Sequence, residues 1–295
     1  MSAPMLGFKR PNHWRFKLGA FEIIQLHDGQ LHMPGPKPPF GTDQTPETVA
    51  AHCAANHIPS DKMENSYTCT MINTGKQLVL FDTGNGSAKQ AGGQGFLLKA
   101  MAEAGYTPDQ VDIVVTTHCH PDHFLGLMEG GQPTYKNAKT VFGEKEFAYW
   151  KKGDDVPDWR VPTREGFLKN CLPFEDKSTF IKEGSSVTPG ITAVEAFGHS
   201  PGHMAFNIES EGQRLYIWND VTNHYVMSLQ RPEWGVHFDH DKPAAIATRK
   251  RTLDMVAHDK CLAIGFHMPF PAFGYVDKTA DGYRWVPASY QMNFS

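Results

Sequence analysis

Six consecutive residues constrain this chain more than any others: His118-Cys119-His120-Pro121-Asp122-His123. They follow residues 111–116, a short apolar run with the character of a buried strand. His118 and His120 are two apart, so on an extended segment leaving that strand both side chains point the same way. Asp122 and His123 come next, where the chain turns into a helix from Phe124 onward, and can face the same cavity from the other side. Four nitrogen and oxygen donors within six residues are more than one tetrahedral ion takes comfortably from a single loop. The spacing therefore suggests two neighbouring ions. His-x-His by itself leaves a His-rich surface loop equally open, and the full pattern after a buried strand weighs against that alternative.

The rest of the chain is compatible with a packed core around such a site. Hydrophobic residues make up 40% and charged residues 20% of 295, and histidine is the outlier at 15. A net charge of -4, a pI near 6.4 and the absence of any long basic block argue against a nucleic-acid partner. No apolar run reaches the length of a signal peptide or a membrane span, so the expectation is a soluble, cytoplasmic protein without a membrane partner. Cys53, Cys69, Cys119, Cys171 and Cys261 are scattered and never in Cys-x-x-Cys spacing, which predicts reduced thiols rather than disulfides or a cysteine zinc site.

Strands are predicted at 14–18 and 21–26, the second ending at the turn signal Asp28-Gly29, with an irregular Pro- and Gly-rich stretch over 30–45. A helix is predicted over 46–56, capped by Thr45 with Pro46 at its first position. A hairpin follows over 67–73 and 77–81, then Asp82-Thr83-Gly84-Asn85-Gly86, then a helix over 96–104 closed by Gly105. Later strands are predicted at 192–196, 204–209, 215–218 and 261–265, and helices at 144–151 and 243–257. Strand runs in both halves, each followed by helices, imply two facing sheets with helices outside, a layered α/β arrangement. No repeat or linker interrupts the chain, so residues 1–295 are expected to form one domain.

The element His118-x-His120-x-Asp122-His123 resembles the signature of the metallo-β-lactamase superfamily, and the resemblance extends from about residue 21 to about residue 276. Asp82-Thr83-Gly84 resembles the family's Asp-x-Gly turn, and Gly198-His199-Ser200-Pro201-Gly202-His203 its Gly-His-[Ser/Thr]-Pro-Gly-His element. Asp220 matches the carboxylate that bridges two metals, and His267 the last ligand. The resemblance implies a four-layer αβ/βα sandwich. It further implies that one ion is held by His118, His120 and His199 and the other by Asp122, His123 and His267, with Asp220 bridging. The sequence departs from the pattern at Asn219, where glycine usually precedes the bridging carboxylate. Alternation points Cys119 away from its neighbours, and His203, Asp82 and Asp28 read as supporting rather than ligating residues.

Two divalent cations sharing a carboxylate would ionise a water and polarise an electrophilic carbonyl or phosphoryl group. Asp122 and Asp220 are then the catalytic carboxylates. Ligation entirely by nitrogen and oxygen fits zinc. The segment from His267 to Gly274 is similar to the branch that includes methyl parathion hydrolase-like enzymes and quorum-quenching lactonases. That implies a small-molecule ester or lactone as substrate, with Trp234, Phe238, Phe270 and Phe273 as pocket residues. It also makes 30–66 a lid or a dimerisation segment of a homodimer. An organophosphate triesterase, a glyoxalase II-like thioesterase and a non-catalytic metal-bound sensing protein are the alternatives. Glutamate in place of His120 would mark the di-iron branch of the fold, and it is absent.

Overall fold

The computed structural model describes every residue except Met1, Ser2, Leu6 and Phe8, and its strands alternate side chains between different cores. The chain runs through β1 (His13–Leu18), β2 (Phe21–Met33), α1 (Pro46–Ala55), β3 (Met63–Asn73), β4 (Leu78–Phe81), α2 (Leu97–Glu103), β5 (Ile113–Thr116) and the single turn α3 (Pro121–Phe124). A small ribbon of β6 (Met128–Glu129) and β7 (Gln132–Pro133) leads to β8 (Lys139–Gly143), α4 (Glu144–Lys152), α5 (Val161–Asn170) and β9 (Ser178–Ile181). The second half holds β10 (Ser186–Thr188), β11 (Ile191–Glu195), β12 (Met204–Ser210), β13 (Gln213–Ile217), α6 (Met227–Gln230), α7 (Lys242–Asp259) and β14 (Leu262–Ile264). It closes with β15 (Phe273–Thr279), β16 (Gly282–Pro287) and β17 (Asn293–Phe294).

One sheet has the order β17-β1-β2-β3-β4-β5-β8-β9 and the other β10-β11-β12-β13-β14-β15-β16. Val79, Phe81, Ile113 and Val115 turn inward and meet Phe206, Ile208, Leu215 and Ile217 of the opposite sheet. Their neighbours Leu80 and Val114 turn outward and pack with Leu97 of α2, Phe147 and Trp150 of α4 and Phe167 of α5. On the far side Tyr216 and Ala263 pack against Leu253 and Val256 of α7. The result is the four-layer αβ/βα sandwich. Parallel pairing of β4, β5, β8 and β9, and of β13 with β14, requires crossovers that the outer helices provide. Those parallel strands end at one edge, so Asp82, the 117–123 loop, Asp220 and His267 all emerge there.

Thr45 caps α1 as its sequence predicts, its hydroxyl accepting from Thr48 N at 3.2 Å. Asp28-Gly29, by contrast, is not a turn. The pairing of β2 with β3 shifts register between His27 and Gly29, and Gly29 takes φ +125°. The strand bulges and continues to Met33 instead of stopping. Residues 34–62 therefore leave from and return to a paired strand end, Met33 opposite Met63. They are fastened by an apolar cluster of Phe40, Val49 and Cys53 with Val226, Trp234 and Val236. All five cysteines are free and buried. Among the described residues no helix is long and apolar enough to cross a membrane.

Candidate metal centre

The loop after β5 is shaped by a carboxylate at the end of β4. Asp82, held at φ +62°, accepts from Thr117 N at 2.8 Å and from the Thr117 hydroxyl at 2.9 Å. The same carboxylate takes the Nδ1 proton of His123 at 2.8 Å, which leaves His123 Nε2 as a lone pair. Pro121 opens α3 at its first position, with His120 at the N-cap. The six-residue pattern thus becomes an extended pair of histidines followed by one helical turn.

Three imidazole nitrogens converge on one point: His118 Nε2 and His199 Nε2 each lie 3.0 Å from His120 Nδ1. Beside them Asp220 Oδ2 stands 3.1 Å from His267 Nε2, 3.3 Å from His199 Nε2, 3.5 Å from His123 Nε2 and 4.0 Å from His118 Nε2. Asp122 Oδ2 is 3.5 Å from both His123 Nε2 and His267 Nε2. The seven residues fall into two groups, His118-His120-His199 and Asp122-His123-Asp220-His267, and within each group the donor atoms lie within 4.8 Å of one another. Asp220 faces both, and all but Asp122 are buried.

In His199 and His267, as in His123, the other ring nitrogen is occupied in the way ligating histidines require. His199 Nδ1 donates to Asp239 Oδ1 at 2.9 Å, and Asp239 Oδ2 pairs with buried Arg249 at 2.7 Å. His267 Nδ1 donates to Ser66 O at 2.9 Å. His123 Nε2 and Asp220 Oδ1 are buried without hydrogen-bond partners, a cost that a cation between them removes. Burial and the neighbouring histidines hold His118 and His120 well below the ordinary imidazole pKa, so both are neutral donors. Burial also opposes charge on His123, His199 and His267, but nearby Asp220 with Asp122, Asp82 and Asp239 outweighs it and raises all three. The same carboxylates put negative charge beside the converging nitrogens, where a cation would sit. The donor set fits two divalent cations.

Asn219 explains its own departure from glycine. It sits at φ +47°, in the left-handed region where asparagine is among the best tolerated residues after glycine. The glycines of the Gly-His-Ser-Pro-Gly-His element answer to packing. A Cβ on Gly198 would lie 2.3 Å from Ala245 N in α7, and one on Gly202 only 2.1 Å from Glu146 N in α4. Cys119 turns into the outer core with Phe124 and Phe142. His203 lies outside both donor groups; it donates from Nδ1 to Ala196 O at 3.0 Å, and burial lowers its pKa to about 3. Asp28 accepts from Asn85 N and Leu97 N at 2.8 and 2.9 Å, a structural role.

The predicted pocket aromatics scatter. Phe273 is corrected outright: alternation at the start of β15 turns it between the sheets, stacked on Phe16 at 4.2 Å and 1% exposed. Trp234 is buried in the cluster that anchors residues 34–62, while Phe238 and Phe270 are half-buried, Phe270 lying 5.3 Å from the His27 ring. A cavity of about 300 Å³ lies between the segments just after Asp220 and just before Ser66, lined by Met33, Ile58, Met63 and Tyr225 together with His32, Lys62, Glu64 and His224. Sequence reading also missed Asp239, Arg249 and Glu146. Each touches the site through residues distant in the chain, so no local spacing marks it.

Comparison with known proteins gives the family and the fold. Residues 64–259 match the family described as the metallo-beta-lactamase superfamily. An N-acyl homoserine lactonase from Bacillus cereus is 22% identical over 171 residues, covering 58% of this chain and 61% of that protein. Another from a Bacillus species is 22% identical over 243 residues, covering 74% and 90%. The chain thus spans less than two thirds of the length of the first of these relatives. Among solved structures, AidC, a dizinc quorum-quenching lactonase in complex with a product, superposes with a TM-score of 0.85 at 25% identity, covering 94% of this chain and 97% of that one. The hydrolase AbOPH superposes with a TM-score of 0.87 at 24% identity, covering 95% and 98%, a likeness of fold.

Proposed function

The chain belongs to the metallo-beta-lactamase superfamily, and we propose that it is a two-metal hydrolase that opens the ring of an N-acylated lactone. The observation that carries this reading is the position of Asp220 Oδ2, within 3.1–4.0 Å of nitrogens from both halves of the donor set. His118, His120 and His199 would hold one ion, Asp122, His123 and His267 the other, and Asp220 both. Imidazole and carboxylate donors without thiolate favour zinc, and AidC is described as dizinc. When bound, the pair supplies an ionised water and polarises the carbonyl that is attacked.

The protein's own groups do the rest. Asp122 is the ligand most open to solvent, its side chain 22% exposed against 4% for Asp220. It is therefore placed to carry a proton to the departing alkoxide. Burial pushes its carboxyl up, but His123 and His267 outweigh burial and keep it ionised and able to accept that proton. His224 Nδ1 accepts from Val226 N at 3.0 Å and Met227 N at 3.2 Å, so its proton sits on Nε2. That N–H is a donor for a substrate carbonyl, while Met33, Ile58 and Met63 offer an apolar wall for an acyl chain. Segment 30–66 serves on this reading as a fixed wall of the site.

Metal analysis and a hydrolysis panel test the reading. The expected result is two ions per chain and turnover of N-acyl homoserine lactones, falling by about 100-fold or more in His120→Ala. Less than one ion per chain, or full activity in that variant, sinks the two-metal reading. Turnover confined to a glutathione thioester or a phosphotriester removes the lactone.

A further inference from the structure

The proposed chemistry leaves one fully buried carboxylate unused. Glu146, in the first turn of α4, is 1% exposed. Its Oε1 accepts from Cys119 N at 2.8 Å, from Trp150 Nε1 at 2.7 Å and from the Ser200 hydroxyl at 2.5 Å, and its Oε2 from Gly202 N at 2.7 Å. Cys119 N belongs to the peptide between His118 and His120, and Ser200 directly follows His199. One side chain therefore ties together the two loops that deliver all three nitrogens of the His118-His120-His199 group. The loop on the far side is seated directly on α4, since Gly202 leaves no room for even a Cβ there.

Asp239, the other buried carboxylate behind this group, is neutralised by Arg249 at 2.7 Å. Glu146 forms no salt bridge among the described residues. The buried Arg160 guanidinium is close enough to feel the Glu146 carboxylate, so the hydrogen bonds to the two loops, rather than an uncompensated charge, set this residue apart.

We propose that Glu146 is a positioning residue for one of the two cations, the one held by His118, His120 and His199. It fixes both ligand loops through Cys119 N, the Ser200 hydroxyl and Gly202 N. The inference rests on the two-metal reading above.

The test is competition of zinc-loaded protein against a chromophoric chelator, with His120→Ala identifying the ion that belongs to the three-histidine group. Glu146→Gln should hold that ion about tenfold more weakly or worse, as loss of a partner outside the ligand shell does, and the other ion within about threefold. Cobalt-substituted Glu146→Gln should show an altered visible spectrum for the same ion, a signature that a general loss of stability does not produce. Ser200→Ala removes one hydrogen bond and keeps the carboxylate itself, so it should weaken the same ion by about threefold. Parental affinity for both ions in Glu146→Gln, or equal weakening of both, overturns the proposal. If Glu146→Gln does not fold, unchanged affinities in Ser200→Ala overturn it. A parent protein that binds fewer than two ions would instead remove the two-metal reading itself.

Discussion

Asn219 shows how a single backbone angle can decide a position that chemistry alone leaves puzzling. Its φ of +47° places Asp220 at the mouth of β13, and its side-chain amide nitrogen is buried without a partner. Backbone conformation, rather than a contact with the metals, is what the position demands. Asn219→Gly should therefore change the unfolding free energy by less than about 0.5 kcal/mol, whereas Asn219→Val should cost about 2 kcal/mol. Urea unfolding of the three proteins checks this, and equal losses for glycine and valine would mean the amide itself matters. His118 and His123 could be picked from the sequence by residue type and spacing, and Asp220 by its match to the family's pattern. The left-handed residue beside Asp220 could not, because a backbone angle leaves only a weak mark in residue type.

At the level of elements, close approach between a loop and a helix sets what each can tolerate. Gly202 and Gly75 look alike in the sequence, yet a Cβ on Gly202 would collide with Glu146 N at 2.1 Å, and one on Gly75 would meet nothing within 4 Å. Gly75→Ala should cost only the strain of its φ of +79°, about 1 kcal/mol. Gly202→Ala must move α4 or the His199 loop and should cost about 3 kcal/mol. Comparison of thermal midpoints for the two variants tests this, and similar shifts would overturn it. The contrast also shows which elements were legible. Local signals marked α1 through Thr45 and Pro46, and β5 through its apolar run. The hairpin of β15 and β16 and the parallel pairing of β17 with β1 carry no local signal of comparable strength, since each depends on a partner far away in the chain.

Across the whole molecule, buried histidines link stability to pH. His27 is 8% exposed, and burial, with Arg10 adding to it, lowers its pKa to about 4. Below pH ~6.5 the unfolded chain takes a proton at this ring that the folded chain refuses until pH falls to about 4. Stability present above that window is thus lost within it, by about 3 kcal/mol for this group. Neighbouring Asp28 acts in the opposite sense: burial raises it to about 6, so its contribution grows as pH falls from there. Relative to the parent, His27→Gln should lose less stability between pH 6.5 and pH 4 in urea unfolding, and parallel pH profiles would contradict the assignment. By itself the sequence determined the alternation that makes layers, the cap of α1 and the cluster of nitrogen and oxygen donors from His118 to His123, because these are set by neighbours along the chain, while His199, Asp220 and His267 were legible only through the resemblance to a known family. Only the tertiary structure decided that β2 bulges through Gly29 rather than turning, that Phe273 belongs between the sheets, and that Glu146 and Asp239 stand behind the histidines. Those outcomes depend on which distant segments share an edge or a face, and packing settles that only when the whole chain closes on itself.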